Sequence, residues 1–453
     1  MRIAAKGADF SRAKQQQRLC CAAMKHSGVG FVRSIGFWGL VLMCINAVIG
    51  SGVFLLPYES YTLLGPFSLW APLLFAVPVF ILVLCFAEAA SHFDTPGGAY
   101  LYARSAFGDF IGFETGWMNW LARVTSMAAL SNGFVVALGI LMPTVTSGVP
   151  RGAVITALIL FLTGFHFFGV RYGAASIYVL TFGKLVPLVG FIVVALLAWR
   201  INPIPGSFAL PQENANWIDA ALFMLFAYAG FENLAVPAGE FKNPTRDLPL
   251  ALLTGTLAIA AIYVLVQLGT MSVLPDLSKS ETPIASAAAE LIGPAGAFAV
   301  TAGALFSMAG TNSGTMLEGS RMLYALSLER RFGWLSYVHP RFQTPSAAIL
   351  LHAAVALGLA LGGSFRQLAL LSAVARLATY LVTCLAVPRL RKINEGFRTP
   401  WLIVPVLGVL VSTVFVVSLD RWKLLAAAVA LLVGAAIYLL SRLPRDMPGP
   451  EPG

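Results

Sequence analysis

The chain has 453 residues, of which 58% are hydrophobic and 11% charged, with a formal charge of +10. A mean hydropathy of +0.81 excludes an ordinary soluble domain. Apolar runs follow one another from Gly36 to about Leu440, too long for the alternating strands of a barrel, so the class is all-α integral membrane with the lipid bilayer as partner.

In chain order, residues 1–35 are a polar, basic tail with no signal-peptide core, and Met24 is an alternative start. Twelve transmembrane helices follow by the span-length criterion. The first six cover Gly36–Tyr58, Phe67–Ala90, Asp109–Met142, Ala153–Phe168, Ala174–Trp199 and Trp217–Ala238. The rest cover Pro249–Val273, Ile284–Ala309, Pro345–Leu361, Arg366–Pro388, Trp401–Ser418 and Trp422–Leu440. The transmembrane domain is 36–441 and a tail fills 442–453. With the N-terminus inside, 21 of the 30 Lys and Arg face the cytoplasm, 6 face outward, and Arg123, Lys184 and Arg376 lie within spans. That bias places both termini in the cytoplasm and explains the positive charge without nucleic acid. Cys44, Cys85 and Cys384 sit in apolar runs as small hydrophobes, and the five histidines are scattered. Neither a metal site nor a cofactor is expected, and no nucleophile–base set lies within the spans, which excludes an enzyme.

The first span carries "NAVIGSGVFLLP" at Asn46–Pro57. Each Gly there costs about 1 kcal/mol against Ala. Two readings fit. Gly-Ser-Gly is a close-packing motif, or it is an unwound stretch whose freed amides and half-helix ends meet a ligand. The sixth span, "FAYAGFENLAVPAGEFKNPTRDLP" from Phe226 to Pro249, has Gly230 in mid-helix, Glu232 at membrane depth and Pro237. Two interrupted helices at matching positions point to an inverted-repeat transporter with its site at the midplane.

Charges at membrane depth are functional candidates. Glu232 reads as a proton site, as an attractor of a cationic substrate, or as a hydrogen-bonded structural acid. Lys184, in "TFGKLVPLVGF", lies near mid-depth, where its stem does not reach water. Glu88 and Glu318, near the inner ends of their spans, read as solvated. Arg123 reads as a buried pair member or a vestibule residue, and Arg376 needs an acid that the sequence does not identify. Asn46 lies one turn before the break, placed to bond freed backbone or to line the site. An amphipathic cytoplasmic helix is expected over Pro96–Phe107, and Pro249 is expected to open span seven.

These motifs resemble those of the amino acid–polyamine–organocation superfamily of permeases. The resemblance rests on "GSGVFLLP" at Gly50–Pro57, "PGGAYLYARSAFGDFIGFETGWMNWL" at Pro96–Leu121 and the "AYAGFE…AGEFKNPTRDLP" block. It rests also on "GSRMLYALSLERRFGWLSYVHPRFQTPSAAIL" at Gly319–Leu350. The resemblance implies the leucine-transporter fold: a first repeat at 36–200, an inverted copy at 217–388, and two last helices at 400–441. It implies that Ile49, Gly50, Ser51 and Gly52 offer amides to a substrate carboxylate. Ala227, Ala229 and Gly230 match the carbonyls that hold its amino group. Phe226 matches an aromatic that closes over substrate, a Trp in the arginine/agmatine antiporter branch. Lys184 matches the helix-five lysine of sodium-independent branches, which bridges helix one to helix eight. It reads either as a proton carrier or as a permanently charged strut in place of sodium. The implied function is secondary transport of amino acids, neutral or broad in range, coupled to protons or to a counter-substrate in the plasma membrane. A cationic amino acid or polyamine transporter is the alternative, and a substrate-sensing receptor without flux is the rival of another class.

Overall fold

The structure, a computed structural model, describes residues 35–93, 97–168, 173–199, 214–234, 241–327, 333–392 and 402–442. Pro96, Pro237, Met24 and most of both expected tails lie outside these residues. Among the described residues there is no strand, only an isolated bridge between Ile35 and Phe241.

Fifteen α-helices are described. The first seven are α1 (Phe37–Val48), α2 (Gly52–Leu64), α3 (Ala71–Ser91), α4 (Gly98–Phe107), α5 (Asp109–Leu138), α6 (Gly148–Phe167) and α7 (Gly173–Trp199). Then come α8 (Trp217–Tyr228), α9 (Pro244–Val273), α10 (Pro283–Ile292) and α11 (Pro294–Ser327). The last four are α12 (Ser346–Gly362), α13 (Phe365–Leu390), α14 (Ile403–Val417) and α15 (Arg421–Arg442). Among the described residues seven helices are long and apolar enough to cross a bilayer, and the bent α1–α2 pair makes an eighth when taken as one span. The helices α12 and α14 are apolar but shorter, and α8 has only 12 residues.

Three expectations are corrected. The apolar run expected as Ile284–Ala309 is divided at Gly293, whose φ of +76° suits a residue without a Cβ. Pro294, lacking an N–H, then starts α11 afresh, and this helix runs on to Ser327. Pro244, not Pro249, occupies the first turn of α9, and Pro249 lies inside the helix. Glu88 is fully buried rather than solvated, because Arg391 at the end of α13 reaches it with Nε and with Nη2 at 2.9 Å. Glu318 does keep a side chain 25% exposed.

The centre is built by α5 and α13, whose apolar windows are 78% and 72% buried against 17% for α15. The last helix therefore keeps most of its apolar surface outward, as lipid contact requires. Small residues set the closest approaches. A Cβ on Gly255 of α9 would stand 2.8 Å from Cys44 Sγ of α1, so the two helices meet backbone to side chain. Gly255→Leu should therefore push α9 off α1. Overpacking of this kind costs about 1–3 kcal/mol and would appear as a lower thermal midpoint of the purified protein in detergent. An unchanged midpoint would show that the contact yields freely.

Candidate functional site

Two helices stop in the middle of the molecule and face each other. The first, α1, ends at Val48; Ile49 is extended (φ −72°, ψ 91°), and α2 starts beyond Ser51. The other, α8, ends at Tyr228; Ala229 is extended (φ −72°, ψ 149°), and Gly230 takes φ +130° before a 3-10 turn at Phe231–Asn233. That φ favours glycine, and space demands it too: a Cβ on Gly230 would lie 2.5 Å from the carbonyl oxygen of Ala47. Reciprocally, a Cβ on Gly52 would lie 2.9 Å from Cα of Ala227. Close packing and broken backbone thus coexist here. Gly52 and Gly230 let the chains cross, while Gly50 and Ser51 leave the helix.

The breaks bound a cavity of about 30 Å³. Gly50, Ser51, Gly52, Phe226, Ala229 and Gly230 line it on one side. Arg123 and Ser126 from α5, Thr311 and Thr315 from α11, and Arg376 from α13 face them. The leading N–H groups of a helix have no partner within it, and they carry the positive end of its dipole. The start of α2 therefore offers donors to an anion, while the end of α8 offers carbonyl oxygens to a cation. Ser51 Oγ is buried and has no hydrogen-bond partner among the described residues. Two of the expected residues stand outside the lining. Ile49 is fully buried, and its carbonyl is taken by Lys184 and by Ser307 Oγ at 3.0 Å. Ala227 packs on Gly52, and its carbonyl accepts the Tyr263 hydroxyl at 2.6 Å.

Lys184 of α7 is fully buried. Its Nζ donates to the carbonyls of Asn46 at 3.0 Å and Ile49 at 2.7 Å, and lies 3.5 Å from Thr311 Oγ1. An ammonium has three protons, so these acceptors exhaust it. The cation rests at the C-terminal, negative end of α1, which offsets part of its desolvation. Asn46 enters through its main chain, while its side-chain oxygen has no partner.

Glu232 is held from four directions. Its Oε1 accepts from Arg123 Nη2 at 2.7 Å and Arg376 Nε at 2.9 Å. Its Oε2 accepts from the Gly230 amide at 2.8 Å and the Tyr380 hydroxyl at 3.3 Å. A carboxylate has about four acceptor positions, and all are used. Arg376, which the sequence left without an acid, finds it here, and Arg123 also pairs with Glu318 at 3.2 Å. The Phe226 ring lies 5.9 Å from the Arg376 guanidinium and 6.1 Å from Phe365. Phe365 in turn lines a second cavity of about 360 Å³, together with Arg151 and Glu281.

Sequence reasoning missed Thr311, Thr315 and Ser307. A signal existed: with Glu318 they form a polar stripe at helical spacing on α11. Among the described residues no group of three side chains could hold a metal ion. Glu232→Gln should leave two buried guanidiniums facing each other across a weakened acceptor. Breaking a buried pair costs about 3–5 kcal/mol, to be read as a fall in thermal midpoint beyond that of a neutral surface substitution. Retention of the midpoint would mean that the cluster is not held by this charge.

Comparison with known proteins places the chain among amino acid transporters. The family model described as amino acid permease matches residues 35–438. The chain is 28% identical to a serine/threonine exchanger of Bacillus subtilis, over 90% of this chain and 95% of that one. It is 26% identical to a branched-chain amino acid permease of the same organism, over 96% and 98%. It is 25% identical to the b(0,+)-type amino acid transporter 1 of Mus musculus, over 90% and 88%. A family of permeases, together with helices apolar enough to span, makes this a multi-pass membrane protein that transports amino acids and is not an enzyme. The chain belongs to the amino acid permease family.

Proposed function

We propose that the protein is a sodium-independent secondary transporter of amino acids, neutral or broad in range, that works by alternating access in the plasma membrane. Twelve helices cross the bilayer in this reading, as two inverted sets of five and a final pair, with both termini in the cytoplasm. The substrate carboxylate meets the amides of Gly50, Ser51 and Gly52, and Ile49 shapes that turn from behind. The amino group meets the break of α8, where Ala229 and Gly230 line the cavity and Ala227 buttresses them. Phe226 closes the site.

The observation that carries this reading is the seat of Lys184. Its ammonium occupies an all-oxygen nest of two carbonyls and a hydroxyl at the α1 break. Hard cations such as sodium take oxygen ligands of this kind, so a fixed ammonium supports a sodium-independent cycle. Lys184 is also the group proposed to couple transport to protons, because shedding its proton frees the carbonyls that join α1 to α7. Glu232, with its four donors, is proposed as the anchor that keeps Arg123 and Arg376 in place during that cycle. The exchanger named among the relatives supports a second coupling mode, in which one amino acid is swapped for another.

Reconstitution tests the coupling. Proteoliposomes holding Lys184→Ala should fail to accumulate substrate on an inward proton gradient, whereas the unsubstituted protein accumulates it. Full pH dependence in the variant would end the coupling role of Lys184. Counterflow of labelled amino acids in the unsubstituted protein tests transport itself, and its absence across a broad panel would leave a binding protein without flux.

A further inference from the structure

The wall of the small cavity opposite the helix breaks is cationic. Arg123 and Arg376 reach its surface, while their acids, Glu232 and Glu318, are not among the lining residues. Each guanidinium has five N–H groups. Arg123 uses two nitrogens, on Glu232 and Glu318. Arg376 uses Nε on Glu232 and Nη1 on Ser372 Oγ, and its Nη2 donates to nothing among the described residues. Glu232 is saturated with donors and has no capacity left for a ligand. Beside the hydroxyls of Ser126, Thr311 and Thr315, which can donate or accept, this wall therefore keeps a guanidinium donor to spare at Arg376 Nη2.

We propose that the cavity selects amino acids with a short, uncharged side chain bearing a hydrogen-bond acceptor, such as a hydroxyl or carboxamide, and that the Arg123–Arg376 pair reads that acceptor. The inference rests on the transport reading above and names its substrate class. Three considerations support it. The backbone clamp takes the part common to all amino acids and leaves the side chain directed to the opposite wall. The cavity is small, at about 30 Å³, so a compact side chain demands the least widening. The charges decide between neutral and ionic side chains. Two guanidiniums are already balanced by two carboxylates, so a third carboxylate would be uncompensated in a low-dielectric site. A basic side chain would likewise bring an uncompensated charge into the same site. An apolar isostere would leave the cavity-facing donors without water or partner.

Counterflow in proteoliposomes of the full-length protein, preloaded with a broad mixture of unlabelled amino acids, provides the test. Labelled threonine and valine are near-isosteres that differ in the acceptor, and asparagine and aspartate differ in charge. Threonine should exceed valine in kcat/KM by about tenfold or more, since sites built for a polar group reject analogues lacking it. Asparagine should exceed aspartate, and lysine should not exchange. Equal threonine and valine, or preference for aspartate or lysine, would overturn the inference while leaving transport intact. Exchange of none of them would remove the transport reading and this inference with it. Arg376→Lys keeps the positive charge beside Glu232 but withdraws the guanidinium fork, so the threonine-to-valine ratio should fall toward one. A merely structural arginine would lower both substrates in parallel and leave the ratio unchanged, which would overturn the assigned role. Arg123→Lys carries the same readout where Arg376→Lys fails to purify.

Discussion

Everything at the centre of this molecule depends on two interrupted helices crossing at atomic contact. Gly230 can adopt φ +130° and sit against the Ala47 carbonyl only because it has no side chain. Gly52 makes the mirrored approach to Ala227. Buried backbone in a membrane must find partners or border a cavity, and both outcomes occur within a few residues. The carbonyls of Asn46 and Ile49 are satisfied by Lys184, and Ser307 adds bonds to Ile49 and Gly50. The start of α2 borders the small cavity instead. The break is thus half structural and half available, and the division falls at Gly50, whose carbonyl is taken by Ser307 while the residue borders the cavity.

Charge balance is the second constraint, and it follows from the first. An anion at Glu232 is possible at this depth because the Gly230 amide, freed by the break, joins two guanidiniums and a tyrosine around it. Lys184 is treated differently. No carboxylate is among its bonded partners, and it relies on carbonyl oxygens and on the negative end of α1. The helix ends act as fixed partial charges that remain after any side chain changes state. A cation held by carbonyls can leave its seat without stranding a buried carboxylate, whereas Glu232 cannot lose either arginine so cheaply. This contrast in what is left behind separates a group suited to change from a group suited to stay.

Much of this was legible in the chain. Span length and apolar runs are local properties, and the glycines of both breaks are visible in the sequence as violations of helix propensity. What depends on distant packing was not legible. Arg376 finds Glu232 across 144 positions and Arg391 finds Glu88 across 303, and neither pairing leaves a local trace. Glu88 looked solvated because its place near a span end says nothing about what the opposite helix supplies there. The division at Gly293 was averaged away, since glycine and proline are common in membrane helices. The two prolines near the start of α9 both suit a helix start, and only the fold assigns that place to Pro244. The polar stripe of α11 was within reach: Ser307, Thr311, Thr315 and Glu318 share one face.

The two ends of the molecule are latched with different strength. At one end Asp219 of α8 pairs with Lys423 at 2.7 Å and Arg366 at 3.6 Å, through side chains that keep 15–40% of their exposure. Pairs this wet are worth about 0–1 kcal/mol each. At the other end Glu88 has no exposure, and Arg389 both stacks 4.4 Å from the Phe107 ring and bonds Ala106. Arg391 keeps 16% of its side-chain exposure, so the contrast lies in Glu88, which parting would leave as a buried charge without this partner. Phe226 lines the small cavity, and Phe365, with its ring 6.1 Å away, lines the larger one, where Arg151 and Glu281 also lie. Moving Phe226 would break that ring contact without touching the ion pairs of Asp219 or Glu88. It would also uncover Arg376, on which its ring rests. One aromatic ring thus borders the small cavity, contacts Phe365 and covers a guanidinium, so displacing it would expose the charged wall.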